Sequence, residues 1–209
     1  MRGEIDGHDA GFAFDGDGDR VLAVDRTGAV VDGDELIALA ATHLGAKGVA
    51  VTVMTNFGFH QAMEARGIDV VVTPVGDRYV LEALRERGWR LGGEQSGHII
   101  DTGFVPSGDG IAAALVAMEA LDGGYLHERH AMEKLPQTLV NVRVRDKALA
   151  ETDAVIAAVA AEAAALEGRG RVLLRPSGTE PLVRVMVEAP SADEANSVCG
   201  RLVAALERA

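Results

Sequence analysis

The run Phe14-Asp15-Gly16-Asp17-Gly18-Asp19-Arg20 constrains this chain more than any other stretch. Three carboxylates alternate with glycines directly after the apolar run Gly11-Phe12-Ala13-Phe14, and Val21-Leu22-Ala23-Val24 follows at once. The pattern is strand, loop, strand. In a continuous strand the three aspartates would share one face yet spread over about 13 Å, too far for one ion whose oxygen ligands sit at about 2.0–2.5 Å. The loop must therefore curl, and Gly16 and Gly18 give it access to positive φ at little steric cost. Three acidic groups drawn together repel unless a cation sits among them. All-oxygen ligation selects Mg²⁺, Mn²⁺ or Ca²⁺ over zinc, and Mg²⁺ is the expected ion at Asp15, Asp17 and Asp19.

Other uses of such a loop fit less well. An EF-hand starting at Asp15 needs Gly at its sixth position and Glu at its twelfth, where Arg20 and Arg26 stand. Asp17-Gly18-Asp19-Arg20-Val21 matches the Asp-x-Asp-x-Val of haloacid-dehalogenase-type aspartyl phosphatases. Their downstream Gly-Asp-x-x-x-Asp is missing, because Gly76-Asp77 leads to Leu81 and Gly108-Asp109 to Ala113. An acidic turn without an ion has no need of three like charges spaced two apart.

The order of apolar and polar runs gives the architecture. After a turn at Arg26-Thr27-Gly28 and a short strand at 29–31, a helix is expected from Asp34 to Leu44, capped by Asp32 or Asp34. The β-branched run 48–54 reads as a strand buried on both faces, as in parallel sheets. A helix capped by Asn56 follows and runs through Arg66, then a strand at 69–73, a turn at 74–76, a helix at 77–87 and a strand at 89–92. Residues 93–100 are loop entering strand, and Ser107-Gly108-Asp109-Gly110 opens a helix to about Leu121. Alternating strands and helices predict a three-layer α/β/α domain with a mostly parallel mixed sheet and right-handed crossovers over 1–124. A linker is expected over 125–135. A small α+β domain is expected over 136–209, with strands at 138–145, 171–174 and 182–187 and helices at 152–166 and 192–207 on one face of an antiparallel sheet.

The 209 residues suffice for two such cores, and 48% apolar content with two Tyr and one Trp suits an α/β protein. A formal net charge of -12 argues against nucleic acid and anionic membranes as partners, so local basic sites are deliberate. Cys199 is the only cysteine, which excludes an intrachain disulfide or a cysteine-based zinc site. Residues 1–6 lack an apolar signal core and no apolar run reaches membrane-spanning length, so a cytoplasmic location is expected.

Three further stretches carry chemistry. Arg175-Pro176-Ser177-Gly178-Thr179-Glu180-Pro181 lies between two strands. A guanidinium, two hydroxyls and a glycine open to close approach are what a phosphate dianion requires, and Arg184 stands on the following strand. In Gly93-Glu94-Gln95-Ser96-Gly97-His98 the alternate polar residues Glu94, Ser96 and His98 are placed to converge on one ligand, carboxylate and hydroxyl on vicinal sugar hydroxyls and His98 moving a proton. Ser96 has Gly-x-x-Ser-Gly spacing and is no nucleophile-elbow serine. Gly76-Asp77-Arg78 opens a helix, where Asp77 is a candidate cap and backbone N–H groups with Arg78 face an anion.

In this order, these stretches resemble the α-D-phosphohexomutase superfamily, most closely its bacterial phosphoglucosamine mutase branch, over nearly the whole chain. The resemblance implies that Asp15, Asp17 and Asp19 hold Mg²⁺ and that Arg20 sits beside the transferring phosphoryl group. It implies that Glu94 and Ser96 bind sugar hydroxyls and that His98 lies near the proton transfers, so Arg20 and His98 are the expected catalytic residues. Arg175, Ser177, Gly178 and Thr179 resemble the loop holding the non-reacting phosphate; Arg184, Gly76, Asp77 and Arg78 complete the expected substrate contacts. Val75-Gly76-Asp77-Arg78-Tyr79-Val80 and Ser177-Gly178-Thr179-Glu180-Pro181, leading into Val183-Arg184-Val185-Met186-Val187, favour the phosphoglucosamine branch.

One departure matters. The family mechanism uses a phosphoserine in a Thr/Ser-Ala-Ser-His-Asn-Pro loop, and this sequence has none. Family members carry two further α/β domains ahead of the acidic loop, so the resemblance is to the third and fourth domains only. It implies the C-terminal half of an enzyme interconverting glucosamine 6-phosphate and glucosamine 1-phosphate, with the missing N-terminal domains as structural partner and no turnover by this chain alone. The alternatives are a phosphomannomutase/phosphoglucomutase fragment or a non-catalytic sugar-phosphate-binding module.

Overall fold

The computed structural model describes residues 5–178 and 180–209; Thr179, an expected phosphate ligand, lies outside the described residues. The chain divides between Glu133 and Lys134 into two units.

The first unit opens with a meander of three antiparallel strands, β1 (Ala10–Phe14), β2 (Val21–Asp25) and β3 (Val30–Val31). Phe14 pairs with Val21, so the acidic loop is the connection of a hairpin. Only one of its two glycines supplies the positive φ expected of both: Gly18 sits at φ 75, and Gly16 does not. At the far end of β2 the Asp25 carboxylate accepts N–H bonds from Thr27 and Ala29, closing the turn into β3.

Helix α1 (Gly33–His43) begins at a capping box: Asp32 accepts the Glu35 N–H while Glu35 accepts the Asp32 N–H. Asp32 is therefore the cap, and Asp34 is buried within the first turn. β4 (Gly48–Thr52), α2 (Phe57–Glu64), β5 (Asp69–Thr73), α3 (Asp77–Arg87), β6 (Leu91–Gly93), β7 (Ile99–Asp101) and α4 (Gly110–Ala120) follow. The sheet order is β5-β4-β6-β7, with parallel pairing on both sides of β4 and an antiparallel edge at β7. β4 is buried on both faces because it is central. Val49 and Val51 face a core with Leu36, Ile37, Phe59, Met63 and Ala117 of α1, α2 and α4; Ala50 faces Val80 and Leu84 of α3. These are the three expected layers. The strand expected at 89–92 starts two residues later, because Trp89 turns its ring onto Gly48, where any Cβ would collide with it.

The segment expected to be a linker, 125–135, is mostly part of the first unit. A 3₁₀ turn (Leu126–Glu128) buries Leu126, and Ala131 joins the same core. Arg129 donates to Glu35 (2.7 Å) and Asp25 (2.9 Å), two carboxylates that are themselves nearly buried.

The second unit is an antiparallel sheet ordered β8-β10-β9, from β8 (Gln137–Arg143), β9 (Arg171–Pro176) and β10 (Leu182–Glu188). Helices α5 (Asp153–Ala165) and α6 (Ala192–Arg208) cover one face. Val183, Val185 and Val187 alternate toward Ala195, Val198, Cys199 and Leu202, each large side chain contributing about 1.5–3 kcal/mol by burial. The residues between, Arg184 and Met186 among them, point to the opposite face. Among the described residues no helix is long and apolar enough to cross a membrane.

Candidate functional site

The hairpin loop gathers its carboxylates. One oxygen from each of Asp15, Asp17 and Asp19 lies within 4.8 Å of the others, and no other such cluster occurs among the described residues. Backbone pairing at the loop base makes this possible: the Asp15 and Arg20 main chains bond each other at 3.4 Å, and the Arg20 N–H donates to Asp15 Oδ1 at 3.2 Å. The Arg20 guanidinium contacts Asp15 Oδ2 at 2.8 Å and Asp19 Oδ1 at 3.5 Å, with half its side chain exposed. Desolvation works to raise the Asp15 carboxyl. The Arg20 N–H, Asp19, the Arg20 charge and the Gly18 N–H outweigh it and hold Asp15 below its ordinary value.

The residues fit a divalent cation on two observations. Asp19 Oδ1 is buried and has no hydrogen-bond partner. The donor set is all oxygen and carries two more negative charges than Arg20 balances, which suits a hard dication such as Mg²⁺.

The loop at 93–98 is stitched to this hairpin. Arg20 forms a backbone bridge with His98, and the Val21 N–H donates to Gly97 O at 3.1 Å. Gly97, at φ 93, lies so close to Val21 that a Cβ would collide with its backbone. The Gly97 N–H bonds Glu94 O at 3.0 Å, so 94–97 is a turn rather than a strand. That turn breaks the expected alternation. Ser96 Oγ donates to Glu94 Oε2 at 3.4 Å, so these two do converge. His98 departs from them: its ring is buried, with Nδ1 3.0 Å from Asp19 Oδ2.

Glu94 Oε1 accepts the Gly76 N–H at 2.8 Å, drawing the turn before α3 to the same place. Gly76, at φ 133, is itself the helix cap. Asp77, expected as a possible cap, is instead the first helical residue, and its Oδ1 takes only the adjacent Arg78 N–H. Arg78 is exposed and stacks on Tyr79 at 4.8 Å. Two open clefts result, of about 450 Å³ beside Asp32, Val75 and Glu94 and about 460 Å³ beside Phe14, Asp15 and Arg20. Leu22 and Ser96 line both, and each volume lies in the range of small-molecule sites.

In the second unit Arg175 and Arg184 are direct cross-strand partners. Two guanidinium groups facing one another across a ladder repel, and Arg184 Nε is buried without a hydrogen-bond partner. Ser177 is buried, its Oγ accepting the Glu180 N–H at 3.3 Å, and Gly178 is exposed at the tip. Lys147, absent from the expected set, donates to Ser177 O at 2.8 Å. This cluster of cations in an acidic protein can hold a phosphate dianion.

Asp34, expected only as a helix cap, instead supports the site: its Oδ2 accepts hydrogen bonds from the Asn56 N–H at 2.8 Å and from Gln95 Nε2 at 3.3 Å, fixing the 93–98 loop from below. A carboxylate in the apolar stripe of α1 was the available signal.

A family model for the α/β/α domain III of phosphoglucomutase/phosphomannomutase matches residues 32–146, and a model for the C-terminal domain matches residues 139–205. The phosphoglucosamine mutase of Parafrankia sp. (strain EAN1pec) is 56% identical over 213 residues, covering 97% of this chain and 46% of the relative. That of Bacillus subtilis (strain 168) is 47% identical, over 93% and 46%. The chain thus spans about half the length of the curated relatives it matches. A structure of Aspergillus fumigatus N-acetylphosphoglucosamine mutase in complex with GlcNAc-6P and magnesium aligns with a TM-score of 0.77 at 23% identity, over 94% of this chain and 48% of that one. A phosphoglucomutase/phosphomannomutase family protein from Burkholderia thailandensis gives 0.74 at 23% identity, over 96% and 47%. At such identities the likeness concerns the fold. Both family models, taken with these relatives, show that the chain belongs to the phosphoglucomutase/phosphomannomutase family and corresponds to its third and C-terminal domains.

Proposed function

We propose that this chain is the C-terminal half of a phosphoglucosamine mutase, interconverting glucosamine 6-phosphate and glucosamine 1-phosphate in the cytoplasm. The observation that carries the reading is the acidic hairpin loop, with three carboxylates within 4.8 Å, an orphaned Asp19 oxygen and Arg20 alongside. Relatives named phosphoglucosamine mutase support the choice of sugar.

In this reading Asp15, Asp17 and Asp19 hold Mg²⁺, which supplies neutralisation of charge on the transferring phosphoryl group. Arg20 directs its exposed N–H groups at the same oxygens, so positioning and electrostatics supply most of the catalysis. Glu94 and Ser96 accept and donate to vicinal hydroxyls in the adjoining cleft. Gly76, Asp77 and Arg78 follow Val75, which lines that cleft, with the exposed Arg78 cation available to an anionic substituent. Arg175, Ser177, Gly178, Thr179 and Arg184 hold the phosphate that does not react. In this reading the phosphoserine that donates and recovers the phosphoryl group lies outside this chain, which spans about half of each relative.

The coverage of half a relative also favours a second reading, a sugar-phosphate-binding module without turnover. A coupled assay separates the two. The chain alone is expected to be inactive, and mixing it with the N-terminal half of the Parafrankia relative is expected to restore glucosamine 1-phosphate formation. Turnover by the chain alone overturns the assignment of the donor serine; binding of glucosamine 6-phosphate with no activity in the mixture favours the module.

A further inference from the structure

The two carboxylate oxygens of Asp19 have different surroundings. Oδ2 lies 3.0 Å from His98 Nδ1, while Oδ1 is buried without a hydrogen bond, with the Arg20 guanidinium 3.5 Å from it. A carboxylate only accepts, so the shared proton sits on Nδ1. The ring has little freedom: His98 is 7% exposed, and its backbone is bridged to Arg20. Behind it stands Gly108, where a Cβ would collide with Cε1 and Nε2 of the ring and lie 2.7 Å from Nδ1. Gly108 is held in place by its own bridge to Ile100. Neither cleft beside the acidic loop is lined by His98. A histidine that passes a proton to a ligand needs a nitrogen free to face the site, and here Nδ1 is engaged by Asp19.

We propose that His98 is a positioning residue: its Nδ1–H holds Asp19 Oδ2 so that Oδ1 faces the divalent cation, and Gly108 preserves the space the ring requires. The proposal rests on the reading that the acidic loop binds such a cation. Fixing a ligating carboxylate from outside lowers the cost of ordering it on binding, and losing such a partner typically costs about 10–100-fold in metal affinity.

The geometry makes a discriminating demand. The side-chain amide nitrogen of Asn falls near the position of a histidine Nδ1, whereas that of Gln reaches toward Nε2. Mn²⁺ binding to the 209-residue chain, measured by electron paramagnetic resonance and checked by Mg²⁺ competition, tests this directly. H98A, H98Q and G108A are expected to weaken Mn²⁺ by about 10–100-fold, and H98N to stay within about threefold of the parent. Should H98A fail to fold, the contrast of H98N with H98Q decides alone. Equal affinity in parent, H98N and H98Q overturns the positioning role while leaving the metal site intact. No Mn²⁺ binding by the parent chain overturns the metal reading itself, and this inference with it.

Discussion

The first unit contains two clusters of the same parts, an arginine between carboxylates, at opposite ends of one strand. Arg20 meets Asp15 and Asp19 where β2 begins, and Arg129 meets Asp25 and Glu35 where it ends. Burial and charge balance separate them. Arg20 keeps 52% of its side chain exposed and its two partners 29% and 34%, against 16%, 3% and 12% around Arg129. Asp25 and Glu35 also accept N–H bonds from Thr27, Ala29 and Asp32, so their charge is dispersed over several donors. In the acidic loop Asp17 adds a third charge without a matching cation, and Asp19 keeps an unbonded oxygen. Chemistry that is closed on itself holds the fold, and the same chemistry left open is the proposed binding site.

The largest expected effect comes from opening the closed cluster. R129M leaves two nearly buried carboxylates uncompensated and is expected to cost the first unit about 3–5 kcal/mol in thermal unfolding. R20M, at a half-exposed pair, is expected to stay within about 1 kcal/mol of the parent while abolishing phosphoryl transfer in the reassembled enzyme. Equal destabilisation by the two would erase the distinction. Next comes occupancy of the open cluster. Mg²⁺ at a hundred times its dissociation constant is expected to stabilise the chain by about 2.7 kcal/mol, reversed by chelation and absent in D17N. A melting temperature indifferent to Mg²⁺ in the parent would refute it.

Legibility in the sequence follows the same division. The open cluster was readable because its residues are contiguous: Asp15, Asp17 and Asp19 gather, and Ser96 meets Glu94, at short sequence spacing. Likewise the ends of α3 and β5 were placed at the residue, since Gly76 and Gly88 punctuate one and Thr73-Pro74 the other. The closed cluster was invisible, because Arg129 finds Glu35 and Asp25 across 94 and 104 residues and polar spacing at 125–135 reads as a connection. The contact of His98 with Asp19 went unread because strict alternation does not survive the turn at 94–97. Lys147 beside Ser177 lies 30 residues away and carries no local signature.

Acid distinguishes the clusters more gently. Burial works to raise the Asp25 carboxyl, but hydrogen bonds from the Thr27 side chain, Arg129 and the N–H groups of Thr27 and Ala29 hold it below its ordinary value of 3.8. A carboxyl depressed in the folded state contributes stability that is complete above the unfolded value and is lost as pH falls through the folded one. Stability of the first unit is therefore expected to hold above about pH 4 and to decline below it, and D25N should flatten that decline while lowering the plateau. An unchanged acid limb in D25N would transfer the effect to other carboxyls.

The smallest effect is of opposite sign. Without a divalent ion, Asp15, Asp17 and Asp19 repel one another across a few ångströms of solvent-exposed loop, a cost the closed cluster does not bear. D17N is therefore expected to raise the melting temperature in chelator by no more than about 2 °C, since exposed charges interact weakly. Screening should remove even this: the Debye length falls from about 10 Å at 0.1 M salt to about 3 Å at 1 M, shorter than the 4.8 Å within which the ligand oxygens gather. Added Mg²⁺ should reverse the order, the parent then melting above D17N. A D17N chain less stable than the parent in chelator and low salt would mean that Asp17 supports the hairpin itself, and the loop would belong with the closed cluster.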